Sequence, residues 1–518
     1  MKKINIINYL RSIILDKNEN IFIEENKKIL KSADFNDEKK IIMFQISRSY
    51  YFLLLFKIFI QKKYPNYKII GLWTDFIWPQ KKEVNSFFEF WMKKIYYYFL
   101  KRKWLILYKS IGINEVYDTS KSSKGEINLI KSQANIIFNK IKKKKDILNI
   151  KYKNIKIGDL IYDTYLRFRS KETVFLKDHY LKKIIFGSLN AITIIEKIIK
   201  QKKISTYHSS YSVYVQHGIP ARLLLNNNIH VYTSGNPLFS SLKKLNKIDF
   251  LHTVSFKNFS QDFKKLTNKN KKINEAKKEI KKKFMGLDDI STRNNFLPIN
   301  TYKSKNFQND HLSKIQGVVF LHDFFDSPHL WGNIIFNDFY EWAVSTLDII
   351  RKFKLKIAIK SHPNSRSESL KINEELKKKY SDLVWIDKDL SNTALFDKKN
   401  IKFGISCYGS VLYELAYHGK YAISAGSHPS SSFKFVINSK SKIDYMNNIL
   451  KIIKIKNYPV SYKSEVAKLY YMYFMNDYLN NKDESLIIAK KIELISIDAS
   501  SSDKLNYYNR KIKQFLNL

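Results

Sequence analysis

Short apolar runs alternate with amphipathic stretches along most of the chain. Residues 41–73, IIMFQISRSYYFLLLFKIFIQKKYPNYKIIGLW, hold an apolar run, a helical stretch, a Pro-Asn turn and a second apolar run. That pattern predicts a β-α-β unit. Residues 85–113 read as an aromatic-rich helix, and KIGDLIYDTYLRF (156–168) opens a fresh element. Around 204–234 the pattern predicts a strand, a loop carrying Gly-Ile-Pro, a short helix and a strand. The lysine-rich stretch 263–284 reads as a solvated helix.

A second alternating series starts at GVVFLHDF (317–324) and runs through YAISAG (421–426). Its strands are LKIAI, LVWI, IKFGIS and YAIS, each followed or preceded by a helical stretch. Such alternation implies parallel, doubly wound sheets. The expected fold class is therefore α/β, with two Rossmann-like doubly wound domains facing a cleft and a helical C-terminal tail. The expected boundaries are 1–285 for a first domain, 286–315 for a polar linker and 316–462 for a second domain. The last segment, 463–518, is read as helices crossing back to the first domain.

Composition changes the picture in two places. A chain of 518 residues with 44% hydrophobic and 15% aromatic residues has ample material for sizeable cores. The formal charge of +45 invites a nucleic-acid reading. However, the cations are 82 Lys against 10 Arg, alongside heavy use of Ile and Asn. AT-rich codon usage produces that bias, whereas base readout and bidentate phosphate recognition favour Arg. Nucleic acid is therefore discounted in favour of anionic substrates and an anionic membrane surface. The single cysteine, Cys407, excludes a disulfide framework and a multi-cysteine metal site. Asn8 and Arg11 break the apolar start, so no signal peptide is expected, and Lys57 interrupts the most apolar later stretch. The expected location is cytoplasmic, with peripheral attachment at the inner face of the membrane as the alternative.

Four polar clusters fall at the ends of predicted strands, where open α/β sheets bind ligands. VYVQHGIPAR brings His217, with Gly218 to allow close approach and Arg222 nearby. VVFLHDFFDSPH brings His322, Asp323 and Asp326; KIAIKSHPNS brings Lys360, Ser361 and His362. FGISCYGSVLYELAYHG brings Gly409 and Ser410 into a turn that opens a helix, with Glu414 one turn on and on the same face. Each has a plainer reading: Ser410 as a helix cap, Glu414 as a surface residue, His322 and Asp323 as a turn pair. Their shared position lifts the set above those readings. A Gly-Ser turn at a helix start suits phosphate, and Lys360 and His362 add donors to the same anion. Glu414 is set to reach a ribose or sugar hydroxyl. His217 is set to take a proton from an acceptor hydroxyl, with Asp323 as its rival. No G-x-x-x-x-G-K-[ST] and no G-x-G-x-x-G after the first strand are present. The expectation is thus no cofactor and no metal, with leaving-group charge met by side chains.

The HG-x-P, HP and YGS-x-x-x-E motifs together resemble GT-B glycosyltransferases of bacterial surface polysaccharide synthesis. The resemblance is to the capsule polysaccharide proteins that include Kdo transferases, and more distantly to CDP-glycerol glycerophosphotransferases. It covers residues 205–235 and 316–430. It implies His217 as the base, with His362 and Ser410 holding donor phosphate. SCYGS stands where the glycerophosphotransferases have TDYSS, and HGIPAR ends in Arg where they have Lys, which favours sugar transfer. The expected function is an inverting, metal-independent glycosyltransferase using a CMP- or UDP-linked sugar and a glycan or lipid-linked acceptor. The alternatives are a sugar-nucleotide epimerase of the same fold, a glycerophosphotransferase-type polymer synthase and, last, a basic nucleic-acid binder.

Overall fold

The computed structural model describes residues 13–30, 40–74, 87–234, 242–246, 258–287, 289–291, 302, 312–457, 461–480 and 482–517. Most of the expected linker, 286–315, lies outside them, as do the first twelve residues. The chain forms two compact units. The first comprises residues 1–164, 176–253 and 481–518, and the second comprises 165–175 and 254–480. Residues 254–285, read from the sequence with the first domain, thus cluster with the second, and of the C-terminal tail only 481–518 joins the first.

The first unit is built on a six-stranded sheet. Its strands are β1 (Ile41–Ile46), β2 (Lys68–Trp73), β3 (Glu115–Asp118), β4 (Ile204–Ser209), β5 (His230–Thr233) and β6 (Lys243–Lys244). Their order is β3-β2-β1-β4-β5-β6, parallel except for β6. All six residues of β1 are buried, as expected of a strand covered on both faces. Helix α1 (Tyr50–Ile58) is buried all round and runs into a π-helical turn, Phe59–Lys63. Pro65 and Asn66 then turn the chain, with Tyr67 N–H bonded to the Tyr64 carbonyl at 3.2 Å. The predicted β-α-β unit is present as read. Helices α2 (Phe87–Lys109), α3 (Gly158–Tyr165) and α4 (Val215–Asn226) flank the sheet. Helix α1 carries Lys57 into the core, where its Nζ donates to Asn26 Oδ1 at 2.6 Å and to Asn509 Oδ1.

The second unit repeats the plan: β7 (Gly317–Phe320), β8 (Ile357–Lys360), β9 (Val384–Ile386), β10 (Phe403–Ser406), β11 (Tyr421–Ser424) and β12 (Val436–Asn438). Their order is β9-β8-β7-β10-β11-β12, and every pairing is parallel. In both sheets the third, second and first strands are followed by the fourth, fifth and sixth, the doubly wound Rossmann order. The fold class is that of the sequence reading: α/β, with two Rossmann-like domains. The lysine-rich stretch forms two helices, Phe259–Lys264 and α5 (Lys269–Phe284), and α5 buries Ala276, Ile280 and Lys283. Helices α6 (Ser367–Lys379) and α7 (Val411–Tyr417) follow β8 and β10. Among the described residues no helix is long and apolar enough to cross a membrane.

Candidate functional site

In the first unit, strand order reverses between β1 and β4, and His217 is held at their carboxyl ends. The run Val213-Tyr214-Val215 is not a strand. β4 ends at Ser209, and Val215 is the first residue of α4. Tyr214 enters the helix at φ 64° and ψ 160°, a region almost reserved for glycine, at a strain of about 1–3 kcal/mol. His217 therefore stands in the first helical turn, and Gly218-Ile219-Pro220 is helix rather than loop.

Pro220 has no N–H, so the Gln216 carbonyl four residues back loses its helical donor. Gln45, the penultimate residue of β1, takes that place: its Nε2 lies 3.2 Å from Gln216 O and 2.7 Å from Thr74 Oγ1. His217 Nδ1 is 2.8 Å from the same nitrogen and 3.0 Å from Gln45 Oε1. An amide has two N–H groups, and here the buried carbonyl and the threonine hydroxyl accept both. Nδ1 is left to donate to Oε1, which also accepts from Ser210 N (3.1 Å) and Ser210 Oγ (2.9 Å). This arrangement puts the ring proton on Nδ1 and a lone pair on Nε2. Burial pushes the imidazole down to about 4, so it is neutral at pH 7. Sequence reasoning missed Gln45, because it lies 172 positions from the histidine that it holds.

Two neighbours of His217 are structural rather than ligand-facing. A Cβ on Gly218 would sit 2.5 Å from Leu160 Cδ2 and 2.9 Å from the Ser212 carbonyl oxygen, so the missing side chain admits α3 and not an acceptor. Arg222 is buried and pairs bidentately with Asp159, Nη1 to Oδ1 at 2.8 Å and Nη2 to Oδ2 at 2.6 Å. It locks α4 to α3. His208, on β4, is a core histidine: it stacks on Phe44 at 4.8 Å, and its Nε2 meets Tyr64 Oη at 2.8 Å.

In the second unit the reversal falls between β7 and β10, and Ser406 Oγ ties them by donating to the Phe320 carbonyl at 3.2 Å. Lys360 closes β8 and is buried, its Nζ donating to Asn392 Oδ1 at 3.0 Å. Burial brings this ammonium down to about 8, against the pull of Asp389, Glu414 and Asp387. Two residues on, the His362 ring lies 6.0 Å from that of His322 and nearly parallel to it. The Nδ1 atoms of both are buried without a hydrogen-bond partner. Burial, with His322 and Lys360 nearby, holds His362 down to about 4, although Asp323 and Asp326 oppose this. Burial lowers His322 as well, and its ring stacks on Phe339 at 4.3 Å. Gly409 is at φ +126°, which only glycine adopts without strain, and a Cβ there would lie 3.8 Å from His322 Nε2. Lys360, His362, His322 and Gly409 thus share one set of strand ends.

The remaining predicted residues have other work. Asp323 accepts from Phe325 N (2.9 Å), Ser369 Oγ (2.9 Å) and Arg366 N (3.0 Å), so it fastens the loop after β7 to the start of α6. That is the role of a loop anchor and not of a base. Asp326 Oδ1 accepts from Ser327 N at 2.9 Å. Ser410 is exposed, and its side chain makes no capping bond. Glu414 is buried, 3.4 Å from Lys283 Nζ, so the pair does not share one open face as their spacing suggests. Burial lowers Lys283, but Glu414, Tyr470 and Asp289 outweigh it and leave the ammonium raised.

No protein-family model and no curated protein sequence matches the chain. Among solved structures, the chain is similar to the UDP-GlcNAc 2-epimerase of Methanocaldococcus jannaschii in complex with UDP-GlcNAc and UDP. Identity there is 11%, over 83% of this chain and 97% of that one, with a TM-score of 0.24. It is also similar to the UDP-GlcNAc 2-epimerase of Neisseria meningitidis bound to UDP-GlcNAc, at 10% identity over 88% and 99% of the two chains, TM-score 0.24. A third similar structure is the wall teichoic acid polymerase TagF, at 11% identity over 99% and 98%, TM-score 0.20.

Proposed function

We propose that the chain is an inverting, metal-independent glycosyltransferase of the GT-B type. It moves a sugar from a nucleotide-activated donor to a growing surface polysaccharide or glycolipid. The observation that carries this reading is the Lys360–His362–His322 cluster at the strand-order reversal of the second unit. It comprises one buried ammonium and two buried ring nitrogens without partners. Donors held out of water at the ends of Rossmann strands suit a phosphate group, whose arrival raises the basicity of the histidines that meet it. As the glycosidic bond breaks, these groups take up the charge that develops on the leaving nucleotide.

In this reading His217 supplies the other half of the chemistry. Its Nε2 lone pair accepts the proton of the acceptor hydroxyl while that oxygen bonds to the anomeric carbon, and the nucleotide departs with the bonding electrons. The motifs HG-x-P, HP and YGS support the assignment to polysaccharide synthesis, through the family resemblance stated above. The deciding experiment incubates the purified protein with CMP- and UDP-linked sugars, with and without glycan or lipid-linked acceptors. The proposal expects nucleotide release and a lengthened acceptor only when both are present. An altered sugar nucleotide formed without acceptor makes the protein an epimerase and overturns the proposal.

A further inference from the structure

Helix α2 presents an apolar stripe on the side turned away from its own core. Its inner face, with Leu100, Trp104, Leu107 and Tyr108, is buried. A helix packed in this way carries polar residues on its outer face. Here the outer face of the first half holds Trp91, Met92, Ile95, Tyr98 and Phe99, each between 41% and 63% exposed. The spacing i, i+1, i+4, i+7, i+8 places all five on one stripe about two turns long. These are large residues, two of them Trp and Tyr with a polar tip on an apolar body, the type that settles at a membrane–water boundary.

The charges beside the stripe select its partner. Of the six basic residues of the helix, Lys101 and Lys103 pair inward with Asp118 and Glu19; the other four are Lys93, Lys94, Arg102 and Lys109, against one acidic residue, Glu89. Lys94 and Arg102 are exposed at the two ends of the stripe, and Lys94 Nζ lies 5.1 Å from the centre of the Trp91 ring. The whole chain carries +45. A second copy brings the same excess of positive charge to the contact and is repelled, whereas an anionic bilayer attracts it.

We infer that the first half of α2 is a membrane-docking face that lies in the headgroup region of an anionic bilayer. Trp91, Ile95 and Phe99 enter the acyl boundary while Lys94 and Arg102 meet lipid phosphates. The inference stands on the geometry of α2 and does not need the transferase reading, although a lipid-linked acceptor would give it a purpose.

Co-sedimentation of the full chain with vesicles tests it, using phosphatidylglycerol–phosphatidylcholine mixtures and pure phosphatidylcholine. The chain is expected to bind the anionic vesicles and to leave the neutral ones in the supernatant. Ile95→Ser with Phe99→Ser should weaken binding about tenfold or more, and Lys94→Glu with Arg102→Glu should do so independently. All four side chains are exposed, so the melting temperature and any nucleotide-induced shift should stay at the wild-type value. That separates a failure here from a failure of the donor site. Anionic vesicles that leave the wild-type chain in solution overturn the inference, as does equal binding by both double variants. Concentration-dependent dimerisation abolished by Ile95→Ser with Phe99→Ser, without vesicle binding, assigns the face to a second copy and overturns it too.

Discussion

At Gln45 one side-chain amide fills the gap left by Pro220, holds Thr74 and orients His217. Replacing Gln45 with Met removes the acceptor for Nδ1–H, and the imidazole loses the tautomer that leaves Nε2 free. Transfer should fall about 10- to 100-fold with nucleotide affinity unchanged, and nitrogen NMR of the histidine should show the Nδ1 proton lost or mixed. Gln45→Glu keeps an acceptor at that point and should restore the tautomer. The added negative charge should raise the imidazole above its value of about 4 and so move the acid limb of the activity profile, where the base protonates, to higher pH. His217→Ala should bind nucleotide normally and lose transfer by about 10²–10⁴-fold. A Gln45→Met enzyme at full speed, or a His217→Ala enzyme at full speed, takes the base away from this histidine.

The helix α4 shows why its own start was hidden in the sequence. Val213, Tyr214 and Val215 are β-branched or aromatic and favour a strand. What makes Val215 helical is a bond from its N–H to Thr164 Oγ1 at 2.9 Å, on a helix that ends fifty residues earlier. The same holds for Glu414, whose partner Lys283 is remote in sequence, and for Arg222, whose carboxylate is Asp159. By contrast β1, α1 and β2 were legible because each is buried almost continuously and the Pro-Asn turn divides them. β3, β6 and β12 were not read: their residues, EVYD, KK and VIN, hold at most two apolar positions in a row, whereas the equally short β9 lies in the run LVWI. The α3–α4 contact gives a prediction of its own. Asp159→Ala leaves Arg222 buried without its carboxylate and should cost about 3–5 kcal/mol in chemical unfolding, with transfer per folded molecule retained. A loss under about 1 kcal/mol would mean that the pair is solvated in the working protein.

Over the whole molecule, two sheets with one strand order each carry a polar cluster where that order reverses, and the four sequence motifs lead to those points. What the motifs did not reveal was which members are taken up by the scaffold: Gly218, Arg222, Asp323 and Glu414 pack or pair within their own units, whereas the buried Nδ1 atoms of His322 and His362 have no hydrogen-bond partner. The buried histidines also set acid stability. His208, His217 and His362 are depressed to about 3, 4 and 4, so each is neutral in the folded state and protonates first in the unfolded one. The contribution of these histidines should therefore be full above pH 6.5 and be lost as pH drops towards 3, and His208→Phe should flatten part of that fall. Lys57 works at the other end, because burial lowers it to about 7 in the fold. Stability should thus rise between pH 7 and about 10, where only the unfolded chain keeps that proton. The most direct test of the donor site measures how CMP, CDP, UDP and GDP shift the melting temperature of wild type, Lys360→Met and His362→Ala. The account predicts that one nucleotide stabilises the wild type strongly, and that each variant folds but binds it with a loss of about 2 kcal/mol, roughly thirtyfold in affinity. Wild-type affinity in both variants, or no shift with any of the four nucleotides, would contradict it.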